Sequence, residues 1–216
     1  SERTNQQPKG RPSLRFTPTA WAKLVWLRDR GDTEIGGFGI ATSDDPLLIE
    51  QFVTVHQQTS CASVEFDDEA VADFFDQQVE QGLKPEQFAR VWIHTHPGDS
   101  PHPSQLDEAT FDRVFGPCDW AVMAILARGG DTYARLRFNV GPGGHGKIPI
   151  EVAWDEPFEA ADPEGWEAEY LAHVQPVSTE AQDLTDLPFG REWFDDPTWL
   201  EPYSIDPDVL DQLDEV

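Results

Sequence analysis

Residues 88–107 read FARVWIHTHPGDSPHPSQLD, in which an apolar run leads into two histidines, a proline-rich loop and a polar helix start. The apolar part, from Phe88 to Ile93, is typical of a buried strand. A Pro-Gly pair then breaks the strand, and two further prolines keep the following loop out of regular structure. Ser104 can cap a new helix, which places Asp107 in its first turn.

The two histidines of this stretch, His94 and His96, stand two residues apart. Side chains at that spacing in a strand point to the same face, so both imidazoles can reach one metal ion. With Asp107 they give two nitrogens and one oxygen, the ligand count of a catalytic zinc site with the fourth position left for water. Taken alone, two surface histidines and a helix-start signature at Ser104 would account for the same residues. His102, in the same loop, is expected to face solvent.

The same segment resembles the signature of the JAMM (MPN+) metalloprotease family. His-Thr-His-Pro, then six residues, then Ser-x-x-Asp agrees with that signature at every fixed position. The family adds a glutamate after its first helix and before a glycine-containing strand. Glu34 stands at the matching position, because it follows the helix-like stretch Thr17 to Arg30 and precedes Gly36 and Gly37. The six residues between Pro97 and Ser104 are more similar to those of the bacterial JAB branch than to those of the eukaryotic deubiquitinases. The resemblance covers roughly residues 14–150.

The resemblance implies a site and a fold. One Zn²⁺ per chain would be held by His94, His96 and Asp107, where it would activate a water and polarise the scissile carbonyl. Glu34 would act as general base and then general acid, and Ser104 would donate its hydroxyl to the developing oxyanion. The implied fold is an MPN or cytidine-deaminase-like α/β domain, with helices flanking a mixed sheet.

Strand and helix patterns alternate along the chain, which also indicates an α/β domain with a mixed sheet. We predict a hairpin from residues 120–127 and 132–138, and a flexible connector at 141–146. A further helix is predicted from Pro163 to Val174. The predicted organisation is a flexible lead at 1–13, a catalytic domain at 14–154, and an acidic, aromatic-containing arm at 155–216.

Charge is distributed unevenly along the sequence. Residues 151–216 contain 20 of the 41 acidic residues and one of the 15 basic ones, a net charge of −19. A segment this negative repels phosphate backbones, so nucleic acid is not an expected partner. It is either a solvated surface or a docking surface for a basic protein. Neither a membrane-spanning stretch nor a signal region is visible, so we expect a cytoplasmic protein without a membrane partner.

The function expected from the resemblance is a zinc peptidase or isopeptidase. It would cut after the C-terminal glycine of a ubiquitin-like protein, either to release a conjugate or to process a precursor. Its expected partners are such proteins or their conjugates, together with E1-like activating and E2-like conjugating enzymes. The alternative is a non-catalytic MPN scaffold that binds such partners through the acidic arm. A third reading, a RadC-like DNA-associated protein, requires basic patches that the sequence lacks. In a fourth, the arm covers the zinc cleft.

Overall fold

The computed structural model describes residues 11–177, which form a curled mixed β-sheet with helices packed on its faces. The helices are α1 (Pro18–Asp29), α2 (Asp68–Glu80), α3 (Pro85–Phe88), α4 (Gln105–Phe115) and α5 (Pro163–His173). The strands are β1 (Leu14–Phe16), β2 (Gly36–Ala41), β3 (Leu48–Val53), β4 (Gln57–Thr59), β5 (Val64–Phe66), β6 (Val91–His96), β7 (Trp120–Ala127), β8 (Thr132–Phe138), β9 (Gly144–Lys147), β10 (Ile150–Val152) and β11 (Val174–Pro176). None of these helices is both long and apolar enough to span a bilayer.

Eight strands form the main sheet in the order β10-β1-β3-β2-β6-β7-β8-β9, and β11, β4 and β5 form a small second sheet. In the centre of the main sheet, β6 runs parallel to β7 and antiparallel to β2. The consecutive strands β9 and β10 lie at opposite edges, pairing with β8 and β1 respectively. One short stretch of chain therefore borders both edges, which requires the sheet to curl.

The core lies on both faces of the main sheet. On one face, α1 and α5 pack on the sheet in a cluster that includes Leu24, Phe52 and Ile93. On the other, α2 and α4 pack on it in an aromatic-rich cluster that includes Phe38 and Phe111. Since both faces are covered, the central strand β7 is apolar along its whole length, and all of its residues after the first are buried.

The predicted α/β class with a mixed sheet is confirmed, and the predicted hairpin is present as β7 and β8. Two local predictions differ from the structure. The buried strand begins at Val91, because Phe88 closes the short helix α3, where its ring is equally buried. The predicted connector at 141–146 contains the start of β9, whose backbone pairs with β8 although half of its residues are glycines.

The boundary predicted at residue 154 also differs, because the compact unit extends to Val177. Helix α5 packs on α1, and its Tyr170 is 8% exposed in the core. Two acids of α5 form ion pairs with α1 and its C-cap residue, Glu169 with Lys23 and Glu167 with Arg30, each at 2.5 Å. These acids therefore help to dock the helix. The rest of the predicted arm and most of the predicted lead lie outside the described residues.

Strand β11 then carries the chain to the small sheet, where it runs parallel to β4. Val177, directly after β11, continues this pairing: its N–H donates to the Thr59 carbonyl at 2.9 Å. The Thr59 hydroxyl in turn lies 2.9 Å from that of Thr33, in the loop between α1 and β2. Val177 thus lies beside this loop.

Truncating Tyr170 tests whether α5 is integral to the domain. We expect Tyr170→Ala to lower the free energy of unfolding by about 3 kcal/mol, since it empties a buried aromatic site. The adjacent Leu171, which is 67% exposed, provides the control, and Leu171→Ala should change stability little. Urea unfolding followed by tryptophan fluorescence measures both. Equal, small effects in the two variants would show that α5 is dispensable for stability.

Candidate metal centre

Three segments bring the candidate residues together. The end of β6 carries His94 and His96, the first turn of α4 carries Asp107, and the loop between α1 and β2 carries Glu34. His94 pairs in register with Gly36 of β2, two residues beyond Glu34. This pairing brings the loop containing Glu34 to the end of the strand that carries both histidines.

The ligand atoms of His94, His96 and Asp107 all lie within 4.8 Å of one another, so this group could hold a metal ion. His94 Nε2 lies 3.3 Å from Asp107 Oδ1, and His96 Nε2 lies 3.7 Å from Asp107 Oδ2. Neither contact is aligned as a hydrogen bond. His94 is fully buried, and Asp107 is 6% exposed.

Unpaired buried atoms show that the group fits a metal. His94 Nε2, His96 Nε2 and Glu34 Oε2 are buried and have no hydrogen-bond partner among the described residues. A buried polar atom left without a partner costs about 1–3 kcal/mol. A cation bound between the two imidazoles and Asp107 would satisfy both nitrogens, whereas an apolar filling of the same space would not.

The orientation of His96 is set by the loop that follows β6. His96 Nδ1 lies 2.8 Å from the carbonyl oxygen of Ser100, which can only accept a hydrogen bond. Nδ1 therefore carries a proton, and the lone pair of the neutral ring is on Nε2, facing the site. The His94 ring is instead held by stacking, with its centroid 4.4 Å from that of Trp92.

A capping box fixes Asp107 at the start of α4. The Asp107 N–H donates to Ser104 Oγ at 3.1 Å, and the Ser104 N–H donates to Asp107 Oδ2 at 2.7 Å. The Ser104 hydroxyl also donates to Oδ2, at 2.8 Å. The sequence allows two roles for Ser104-x-x-Asp107, a helix cap and part of a metal site. Asp107 combines them, because its carboxylate caps the start of α4 and also faces the two imidazoles.

The backbone around Glu34 is held by two neighbouring segments. The Glu34 N–H donates to the Ser60 carbonyl at 2.8 Å, and the next N–H, of Ile35, donates to the Thr95 hydroxyl at 3.0 Å. The Glu34 side chain is 5% exposed, and its Oε1 lies 3.7 Å from His96 Nε2. The carboxylate therefore borders the three-residue group.

Burial and neighbouring charges shift the protonation of the site. Burial, together with the charge of Asp107, raises the pKa of Glu34 to about 7 against the opposing effect of His96. Complete burial lowers the pKa of His94 against the opposing effect of Asp107, and the lowered pKa favours the neutral ring. Burial also opposes the charged form of His96, but Asp107, the Ser100 carbonyl and Glu34 outweigh it and raise the His96 pKa. For Asp107, burial opposes ionisation, yet the two adjacent imidazoles hold its pKa far below the usual range.

All five residues predicted from the sequence are thus found together, with Ser104 reaching the site through Asp107. His102 is exposed, as expected, and the described part of the chain places no other histidine in the group. Sequence analysis overlooked Thr95 and the Ser100 carbonyl, which orient Glu34 and His96. Thr95 carried a signal, because a hydroxyl inside a buried strand requires a partner, and its alternation places it on the face opposite the histidines.

Comparison with known proteins adds no family assignment: no family model matches this sequence, and no curated protein matches it either.

Metal binding at this site should release protons and strengthen as the pH rises. Below about pH 7, Glu34 retains a proton in the metal-free protein, and the raised pKa of His96 favours its protonated form; a dication would displace both protons. We expect zinc affinity to rise about tenfold per pH unit for each proton displaced. Calorimetry in buffers of different ionisation enthalpy measures the number released. Zinc affinity that does not change with pH, without proton release, would exclude His96 as a ligand.

Proposed function

We propose that this protein is a zinc-dependent peptidase or isopeptidase of the JAMM type, acting after the C-terminal glycine of a ubiquitin-like protein. The observation that carries the proposal is the buried group of two imidazoles and one carboxylate, with a second carboxylate, Glu34, 3.7 Å from His96. The helix-flanked mixed sheet is compatible with an MPN or cytidine-deaminase-like domain.

In this proposal His94, His96 and Asp107 hold the metal. Two nitrogens and one oxygen are the donor set of catalytic zinc sites, which keep one position open. When bound, zinc supplies the Lewis acidity that makes water nucleophilic at neutral pH and polarises a carbonyl. The Ser100 carbonyl and the Trp92 ring keep the two imidazoles oriented for this role.

Glu34 carries the proton in the proposed reaction. It removes a proton from the attacking water and later delivers it to the departing amine nitrogen, so the carboxylate is regenerated at the end of each cycle. Three features suit it to this role: its burial, an Oε2 atom without a hydrogen-bond partner in the described part of the chain, and a pKa of about 7. A group that both accepts and returns a proton works best when its pKa lies near the working pH.

Ser104 would stabilise the oxyanion in this scheme. Its single hydroxyl proton is donated to Asp107 Oδ2, so it cannot at the same time be donated to a substrate oxygen. The role therefore requires a rotation of the hydroxyl away from Asp107. The backbone half of the capping box, from the Ser104 N–H to Asp107, holds the ligand in place during that rotation.

The β5 edge supports an extended substrate segment near the site. Among the described residues, β5 pairs only with β4, so its outer edge can accept an added strand. Phe66 packs so closely over Gly36, the register partner of His94, that a Cβ on Gly36 would lie 2.9 Å from its ring. This contact places β5 beside the metal centre.

Charge around β5 favours a basic segment. Residues 31–83 contain twelve acidic residues and neither lysine nor arginine. A cavity of about 340 Å³ is lined by residues 65–69 together with His56 and Gln58. Lysine or arginine side chains on an added strand would find complementary charge there. We therefore expect a ubiquitin-like substrate whose C-terminal segment carries positive charge.

The test of the proposed function combines metal content with cleavage. Purified protein should contain about one zinc per chain and should cleave some ubiquitin-like fusions after the terminal glycine, in a reaction stopped by chelator and restored by zinc. Fusions with basic and with neutral C-terminal segments should be compared. Zinc-loaded protein that cleaves none of them would reject the peptidase, and protein that neither contains nor takes up zinc would favour the scaffold.

A further inference from the structure

We propose that Arg128 is a positioning residue that fixes the loop carrying Glu34 against the strand end carrying His96. Arg128 directly follows β7, which runs parallel to β6 with Ala127 opposite His96. The catalytic consequence of this inference rests on the proposed function, whereas its structural part does not.

The backbone of Arg128 contacts the histidine side of the site. Its N–H is shared between two carbonyl oxygens, that of His96 at 2.9 Å and that of Gly98 at 3.0 Å. These contacts hold the chain where it leaves β6 and turns towards Ser100, the residue that orients His96. Any residue with an N–H could make them, so they do not explain the arginine.

The side chain of Arg128 contacts the Glu34 side of the site. One terminal nitrogen donates to the Gly31 carbonyl just past the end of α1, and the other lies 3.0 Å from Asp32 Oδ1. The Asp32 side chain is 96% exposed, so this ion pair contributes little. The contact with the Gly31 carbonyl is the important one, because a guanidinium suits a carbonyl at a helix C-terminus.

These contacts complete the support of Glu34. After Glu34, the chain is held by Thr95 through the Ile35 N–H, and the Glu34 N–H itself is held by Ser60. Before Glu34, the guanidinium of Arg128 holds the loop at Gly31. Since the same residue binds the His96 carbonyl, a shift of the loop relative to β6 must break a contact of Arg128. Arg128 thereby sets the distance between the Glu34 carboxylate and His96.

A purely structural arginine would behave differently. If Arg128 only capped α1, its loss would lower stability without a specific effect on the Glu34 loop or on turnover. A positioning role predicts that metal binding persists, because no ligand is touched, while proton transfer slows. Transfer through a side chain depends steeply on geometry, and a displacement of about 1 Å can cost about 10²-fold in rate.

Arg128→Met is the test variant, because methionine keeps an apolar side chain but cannot donate to Gly31. Asp32→Ala is the matched control, since it removes only the exposed ion pair. For both, amide hydrogen exchange of the peptide covering residues 31–35 is compared with that of a peptide from β7, alongside zinc content, kcat and KM for the cleaved fusion. Arg128→Met should exchange faster at 31–35 only, retain zinc and lose about 10-fold to 100-fold in kcat with little change in KM. Asp32→Ala should resemble the wild type.

Unchanged exchange at 31–35 in a folded Arg128→Met protein overturns the inference, as does faster exchange with an unchanged kcat. Arg128→Lys retains a cationic donor and should recover part of the lost rate; if Arg128→Met does not fold, this variant carries the same comparison. A wild type that cleaves nothing rejects the proposed function alone, because exchange at 31–35 still reports whether Arg128 fixes the loop.

Discussion

Replacing Glu34 with Gln is expected to leave zinc bound and to lower kcat by about 10²-fold to 10⁴-fold, the contribution typical of general acid–base catalysis. Gln has nearly the shape of Glu and can occupy the same buried position, but it cannot accept and return a proton. Glu34 is not among the three ligands, so metal content should match the wild type. The effect should fall on kcat, because the proton moves in the transition state.

Zinc analysis and steady-state cleavage of a ubiquitin-like fusion measure this effect. Glu50→Gln is the control. Glu50 is an exposed acid on β3, so this substitution makes the same chemical change at the surface. Turnover in Glu34→Gln close to that of the Glu50→Gln control would remove Glu34 from the mechanism. Loss of zinc from Glu34→Gln would make it a ligand instead, with a different group as the proton carrier.

The second large effect is expected for Asp107→Asn, which should lower zinc affinity by more than about 100-fold. Losing a partner that only orients a ligand typically costs 10–100-fold, and this substitution weakens a ligand itself. Asn lacks the negative charge that two imidazoles and a dication favour, although its oxygen can still accept the Ser104 N–H. The helix start should survive while the metal is lost.

Zinc competition with a chromophoric chelator measures the affinity, and thermal unfolding with and without zinc gives an independent readout. Zinc should raise the melting temperature of the wild type and not that of Asp107→Asn. Asp112→Asn, on the same helix at an exposed acid, is the control. Wild-type zinc affinity in Asp107→Asn would show that the oxygen ligand comes from elsewhere.

The three candidate metal ligands could be predicted because their geometry is local. Strand alternation fixes the relation of His94 to His96, and the helix-start signature fixes the direction of Asp107. The contact between the end of β6 and the start of α4 is the part that local patterns do not determine. It was predicted from the resemblance to a known motif and not from sequence periodicity. Glu34 depended on the resemblance more heavily, since an acid after a helix has no distinctive local pattern.

The parts that could not be predicted are held by distant contacts. The glycine-rich sequence of β9 predicted a flexible connector, because strands are recognised in a sequence by their side-chain pattern. In the structure β9 is held by backbone pairing with β8. The acids of α5 were interpreted from the sequence as a solvated surface. Their partners, Lys23 and Arg30, could not be recognised because they lie more than 130 residues earlier. The contact of Arg128 with Gly31, 97 positions away, leaves no trace in the sequence for the same reason.

The position of Val177 has a consequence for a ligand fused to the chain at this residue. Its N–H is bound to Thr59, whose hydroxyl touches Thr33, the residue next to Glu34. A ligand fused to the chain directly after Val177 would be tethered beside the candidate metal centre. Short tethers give effective concentrations on the order of millimolar. A weak affinity of the fused ligand for the site would therefore be enough to load it, and supplying the same ligand as a separate molecule would abolish this gain without altering any contact in the centre.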